Sequence, residues 1–269
     1  SLLVTKSGKI YYKVGVDSHD TLQSLFQKKD KELKDDKLPP DNTFCRVEIT
    51  PKNGNYCKPD QEWKLRIDEE VKPNWWNKEF EKPCFEALEV WKEKVYGQIN
   101  LKEINNPIHP FKIDPPKKIT FRHKKLLKEW DSVGDSVGDS VRASVRDSVG
   151  DSVWDSVRAS VRDSVGDSVW DSVRASVRDS VRASVRASVW DSVGAYISYS
   201  FPKIKTWKYC DKRKSPFNKI KGNPFRSAIK LWRSGLVPSY DSYNEVWRLH
   251  GGPKAEILFE IKKSDLIKL

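Results

Sequence analysis

The sequence predicts an α+β protein carrying an inserted β-solenoid of sixteen tetrapeptide repeats, a long helix or helical array being the other geometry open to the repeat. Three observations carry this reading. From Asp131 to Gly194 the chain is sixteen consecutive units of the form (Asp or Ala)-Ser-Val-(Gly, Arg or Trp), without an insertion. Strand-like and helix-like patterns alternate before the array, and a hairpin pattern follows it.

Taken in order, residues 1–104 form an α+β region. Lys9–Val16 alternates as a strand does, and Asp17 or Ser18 can cap a helix running to Phe26. Cys45, Val47 and Ile49 share one face of a second strand; Trp63, Leu65 and Ile67 mark a third. Pro83 opens a helix with Phe85, Leu88, Trp91 and Val95 on one side. Residues 105–120, holding Pro107, Pro110, Pro115 and Pro116, make an extended connector.

Residues 121–202 are then a capped repeat domain. Upstream, Leu126, Leu127 and Trp130 lie on one helical face, as a cap over the first coil would place them. Downstream, Ile197 and Phe201 continue the valine phase until Pro202 stops it. Residues 203–269 hold a basic segment, a short helix at Ala228–Trp232 ended by Gly235, and a hairpin from Val246–His250 and Ala255–Ile261 around Gly251-Gly252-Pro253. That hairpin is too short for a core of its own and is expected to complete the N-terminal sheet, which makes the repeat an insertion.

Within the repeat, Ser and Val are invariant, while the fourth slot holds five Gly, eight Arg and three Trp. Residues so different in size and charge are expected to face solvent or a partner, with Val inward. The expected core is Val133, Val137, Val141, Val145, Val149, Val153, Val157, Val161, Val165, Val169, Val173, Val177, Val181, Val185, Val189 and Val193. Ser is expected to bond backbone at bends or to pack as a small inward group. First-base codon changes link Gly, Arg and Trp, so a duplicated twelve-nucleotide unit that drifted produces the same palette as selection for outward Trp and Arg.

A four-residue step advances an α-helix by 400°, so a valine stripe drifts ~40° per unit and wraps nearly twice around one uninterrupted helix. Thirty-two Ser and Val at ~0.5 kcal/mol each add ~16 kcal/mol against helix. Stacked coils avoid both problems by setting Val over Val. Residues 139–154 recur identically at 155–170, which suggests sixteen residues per coil. That register stacks Arg142, Arg158 and Arg174 at the ~4.8 Å strand spacing, where like charges repel, so twelve residues per coil stays open. Over 131–201 the array resembles the pentapeptide-repeat proteins. The resemblance implies a quadrilateral right-handed β-helix with an apolar residue inward. DNA mimicry by an acidic surface, known for some of those proteins, is not implied, because eleven Asp here face eight Arg.

The 269 residues carry a formal net charge of +12. No run of ~20 apolar residues and no signal peptide is seen, so a cytoplasmic or virion location without membrane contact is expected. Outside the array 42 Lys and Arg face 27 acids, and between 203 and 233 eleven basic residues face Asp211 alone. Lys203, Lys205, Trp207, Lys208, Lys212, Arg213, Lys214 and Arg226 are the candidate nucleic-acid contacts, since basic groups bind phosphate and aromatic rings stack on bases.

Catalytic signals are sparse, and neither a catalytic residue, a metal nor a cofactor is assigned. Asp17, His19 and Asp20 could serve a general base or a metal, or simply start a helix with acids in its first turn. Cys45, Cys57, Cys84 and Cys210 lack zinc spacing and read as buried thiols, while His250 beside two glycines could line a pocket. The expected function is therefore a repeat scaffold for a protein partner or self-association, with Trp154, Trp170, Trp190, Arg142, Arg158 and Arg174 as contacts. Nucleic-acid binding through 203–233 is the second reading, and an enzyme with an unrecognised site the third.

Overall fold

A computed structural model describes residues 1–34, 37, 40–133, 137–209 and 222–269. In chain order its elements are β1 (Leu2–Thr5), β2 (Ile10–Tyr11), α1 (His19–Phe26), β3 (Phe44–Pro51), β4 (Trp63–Ile67), α2 (Glu81–Tyr96), α3 (Leu101–Asn105) and α4 (Phe121–Asp131). The array and its flank follow as α5 (Val137–Val149), α6 (Asp151–Val161), a π-helical turn at Arg162–Gly166, α7 (Asp167–Ser176) and α8 (Arg182–Tyr199). The chain ends with α9 (Arg226–Arg233), β5 (Leu236–Asp241), β6 (Val246–Gly251), β7 (Glu256–Lys262) and α10 (Lys263–Lys268). It divides into two compact units: Ser1–Gln98 with Arg146–Ser156, and Ile99–Val145 with Val157–Leu269.

The first unit is built on an antiparallel sheet ordered β2-β1-β3-β4. Val4 pairs with Cys45 and Ile49 with Leu65. Leu2, Val4, Val47, Ile49 and Trp63 pack with Cys84 and Leu88 of α2 on one side of this sheet. Leu3 and Phe44 pack with Leu22 and Leu33 in a second cluster. The strand expected over Lys9–Val16 is limited to Ile10–Tyr11, because Gly15 turns the chain at φ +82 toward the carbonyl of Asp147.

The expected β-solenoid is not what forms. The array is helical, so the quadrilateral coil and its stacked valines are replaced by short helices. The drift of ~40° per unit rules out one long buried stripe, but each segment is too short for that to matter. Across α5 the four valines Val137 to Val149 sweep ~120°, and across α6 the three valines Val153 to Val161 sweep ~80°, about the width of an ordinary buried helix face.

Each interruption resets the phase. Gly150 adopts φ +98 between α5 and α6, and any Cβ there would lie 2.7 Å from the Asp17 carboxylate. Asp17 uses that space to accept the Ser152 N–H at 2.9 Å and the Ser152 hydroxyl at 3.0 Å, capping α6 from a distant part of the chain. The π-helical turn at Arg162–Gly166 takes about 4.4 residues per revolution, so there the four-residue step undershoots a full turn instead of overshooting it. Val177 is extended at φ −120, ψ 154 and ends α7. The ~16 kcal/mol of unfavourable propensity omitted packing, which supplies most helix stability in folded proteins.

Fourteen of the sixteen valines are buried; Val133 and Val177, beside the breaks, are half-buried. The fourth slot does not uniformly face solvent, which corrects the expectation for its tryptophans. Trp154 is buried, Trp170 and Trp190 are half-buried, and Arg142, Arg158 and Arg174 are exposed. That slot sits ~100° past Val, at the rim of the buried arc, and the drift carries some copies in and others out.

The second unit holds a separate antiparallel sheet, β5-β6-β7, so the C-terminal strands do not complete the N-terminal sheet as expected. Strand β5, absent from the sequence reading, pairs with β6 from Leu236↔Gly251 to Asp241↔Val246. It satisfies the hairpin's backbone on one side and its own free edge meets α8. The Ser188 hydroxyl accepts the Tyr240 N–H at 2.7 Å, and the Ser192 hydroxyl donates to the Pro238 carbonyl at 3.3 Å. Four helical residues rise ~6 Å and two strand residues ~6.8 Å, so serines four apart match polar groups two apart on a strand edge. Helix α4 packs against α9 instead of capping a coil, and Tyr196 of α8 stacks on Trp232 of α9 at 5.1 Å.

Two substitution pairs test this account by thermal unfolding. Ser188→Ala leaves the Tyr240 N–H without its acceptor and should cost ~1–3 kcal/mol, whereas Ser180→Ala, at an exposed position, should cost under ~0.5 kcal/mol. Equal losses would show that the strand edge does not depend on the repeat. Val157 is fully buried, so Val157→Asp should cost several kcal/mol, while Arg158→Ala next to it should change stability by under ~0.5 kcal/mol. Similar sensitivity at both would reverse the assignment of the buried face.

Candidate functional site

Positive charge is distributed unequally between the two units. Ile99–Val145 with Val157–Leu269 contains 31 Lys and Arg against 17 acids, a net of +14, while the other unit has 19 against 21, a net of −2. The surplus is exposed on several elements of its unit. On α9, Ala228, Ile229, Leu231 and Trp232 turn inward, and the Trp232 indole N–H donates to the Ile108 carbonyl at 2.8 Å. The remaining face presents Arg226, Lys230 and Arg233 at i, i+4 and i+7.

Arg233 is committed to Glu103 at 3.3 Å and to the face of Tyr199 at 4.9 Å. Arg226, Lys230, Lys203 and Lys205 are exposed and form no ion pair among the described residues. On α4, which packs against α9, Arg122 and Lys125 are exposed as well. Lys208 is exposed, and its backbone N–H donates to the Ser144 hydroxyl at 2.8 Å. Lys212, Arg213, Lys214 and Cys210 lie outside the described residues.

The interleaved aromatics sort differently from the basic groups. Trp207 is buried against Phe225 in an edge-on contact at 5.3 Å, so neither ring can stack on a base. Tyr209 is exposed. Among the described residues, the expected pairing of rings and charges along this segment is therefore kept only at Tyr209. Alternating sequence positions could not show which rings were needed for the core.

The repeat positions proposed as partner contacts are largely occupied from within. Arg186 sits over the Trp170 ring and Arg162 over Trp190, each at 5.9 Å. A Cβ on Gly166 would lie 3.1 Å from the Trp190 ring, so a small residue in one helix accommodates a large one in the next. Arg142, Arg158 and Arg174 remain outward.

The sequence trio Asp17, His19 and Asp20 is separated by the fold. Ser18 caps α1, Asp17 is bound to Ser152, and buried His19 turns to β3 and β4. Its Nε2–H donates to the Val47 carbonyl at 3.2 Å and lies 3.5 Å from Glu48, while Nδ1 is 3.3 Å from Asp68. Donor atoms of His19, Glu48 and Asp68 fall within 4.8 Å of one another, close enough to share a cation. The ring offers a different nitrogen to each carboxylate, however, and Asp68 also pairs with Arg66 at 3.4 Å. This geometry ties α1 to two strands. Glu48 and Asp68, remote in sequence, carried no signal for it.

His250 is wholly buried in the second unit. Its Nδ1–H donates to the Ala255 carbonyl at 3.1 Å, leaving Nε2 to accept the Ser239 hydroxyl at 2.7 Å. A base beside a hydroxyl is a catalytic pairing, but both groups are sealed from solvent and a backbone carbonyl stands where a triad has a carboxylate. Cys45, Cys57 and Cys84 are buried free thiols that burial pushes up to about 12, so they stay protonated. Among the described residues no helix is long and apolar enough to cross a membrane. No family model, curated protein or solved structure matches the chain.

Burial holds the His250 imidazole down at about 4, against the opposing pull of the Ala255 carbonyl. An unfolded histidine protonates near 6.5, so between pH ~6.5 and ~4 the unfolded chain takes up a proton that the folded chain does not. Stability should therefore fall on acidification across that window, by up to ~3 kcal/mol from this residue. Unfolding curves of His250→Asn and the parent measured from pH 7 to 4 should converge; curves that stay parallel would remove His250 as the cause.

Proposed function

We propose that the protein binds nucleic acid through the basic unit Ile99–Val145 with Val157–Leu269. The observation that supports this reading is the confinement of the positive surplus to one unit, +14 against −2, with Arg226, Lys230, Lys203 and Lys205 exposed and without acid partners among the described residues. Basic side chains left unneutralised favour a polyanion, and release of its counterions supplies the affinity. Because Trp207 and Phe225 belong to the core, contact is made to phosphates more than to bases, and little sequence preference is expected. A scaffold displaying repeat tryptophans has less support, since Trp154 is buried and Trp170 and Trp190 already hold arginines of the same chain.

Fluorescence anisotropy with a labelled single-stranded oligonucleotide and with a duplex of the same length tests the proposal. For about five neutralised phosphates, log K should fall with log salt at a slope near −3.5 for the single strand and −4.5 for the duplex. Arg226→Glu with Lys230→Glu should weaken binding at least ~10-fold and flatten the slope without altering the circular dichroism spectrum. Affinity indifferent to salt, or unchanged in the double variant, would refute it.

A further inference from the structure

The first unit encloses a cavity of about 170 Å³ between β3, β4, α2 and the loops before α1 and β4. Its aromatic walls are Tyr12, Tyr56, Trp63 and Trp91, and its charged lining includes Asp17 and Glu48. These residues come from separate stretches of sequence, so no local motif announces them. Glu48 comes from β3 and Trp63 from β4, α2 sets Trp91 against Trp63, and the Asp17 carboxylate is held by Ser152.

We propose that this cavity binds a small quaternary or methylated ammonium cation. Three of the rings stand nearly upright to one another: Tyr56 meets Trp63 at 81° and Trp91 at 70°, and Trp63 meets Trp91 at 68°, with centroids 5.5–6.3 Å apart. Rings so arranged make the corner of a box and present π faces toward a rounded guest; a planar base or a sugar ring needs a flat platform instead. The faces of aromatic rings carry negative potential and attract a weakly hydrated cation. Two of the aromatic walls already attract ammonium groups, with Lys92 5.1 Å over Trp63 and Lys94 5.8 Å over Tyr12, neither lysine lining the cavity.

Charge points the same way. Glu48, only 18% exposed, accepts the Ser1 hydroxyl at 2.7 Å and has the Ser1 nitrogen 3.7 Å away; Asp17 is held by Ser152. Beside these two carboxylates the lining contains the Ser1 nitrogen and one lysine, Lys13, whose side chain is exposed. An anion would meet like charge from these two carboxylates. At ~30 Å³ per water the cavity holds the volume of five or six waters, enough for a trimethylammonium head with a short stem.

Choline chloride is the probe, titrated calorimetrically into the full chain, with dimethylbutanol as the uncharged molecule of the same shape and sodium chloride as the ionic-strength control. Choline should bind, and do so at least ~10-fold more tightly than dimethylbutanol, as cation–π attraction in a partly desolvated site requires. Glu48→Gln, with its fold checked by circular dichroism, should weaken choline ~10-fold and leave dimethylbutanol unchanged. Equal binding of the two probes would make the cavity merely apolar and overturn the proposal. So would the absence of choline binding at tens of millimolar, a result obtained on the unmodified chain and independent of any variant's folding.

Discussion

The mismatch between a four-residue sequence period and a 3.6-residue helical turn governs how this chain is built. Every repeat unit rotates its valine by ~40° relative to the last, so no long segment can keep the array buried on one face. The chain resolves this by dividing the array. A left-handed glycine at 150, a π-helical turn at 162–166 and an extended valine at 177 return the stripe to phase after two to four units. Helix lengths in the repeat are thus set by tolerable angular drift, and the surrounding structure must supply partners for the ends this creates.

Serine supplies much of that partnership. Its hydroxyl stands one residue before each valine, at the margin of the buried arc, where it can reach backbone outside its own helix. Ser144 accepts from Lys208, Ser156 from Tyr56 at 3.1 Å and Ser188 from Tyr240, while Ser160 donates to the Ile104 carbonyl at 3.2 Å. Each bond satisfies a backbone group in a partly buried place. Several serines of the array therefore reach polar groups at the border of the core that valine fills, while Ser172 and Ser184 donate to carbonyls three or four residues before them.

The two units divide the chemistry between them. One collects the positive surplus on its surface; the other encloses aromatic walls and carboxylates in a cavity. The two ligands proposed above, nucleic-acid phosphates and a small organic cation, are of opposite sign, as are the surfaces they would meet. Buried polar groups elsewhere serve the fold: His250 is neutral because burial disfavours its charge, and His19 joins a helix to two strands.

The sequence by itself determined that the repeat buries valine, since Val157 and thirteen others are inside, and it located the helix capped by Ser18, the strand of Cys45, Val47 and Ile49, and the basic stretch whose described part is exposed at Lys203, Lys205 and Arg226. These features depend on neighbours a few residues apart, where periodicity and capping act. Tertiary structure alone decided that the repeat is helical, because propensity favoured the coil and only packing of short segments reverses that balance. It alone placed Trp207 in the core, joined β5 to the hairpin, and gathered Asp17, Glu48, Tyr56, Trp63 and Trp91 around one cavity. Such contacts span tens to more than a hundred residues of chain, and their partners are chosen by which surfaces fit once the local elements exist.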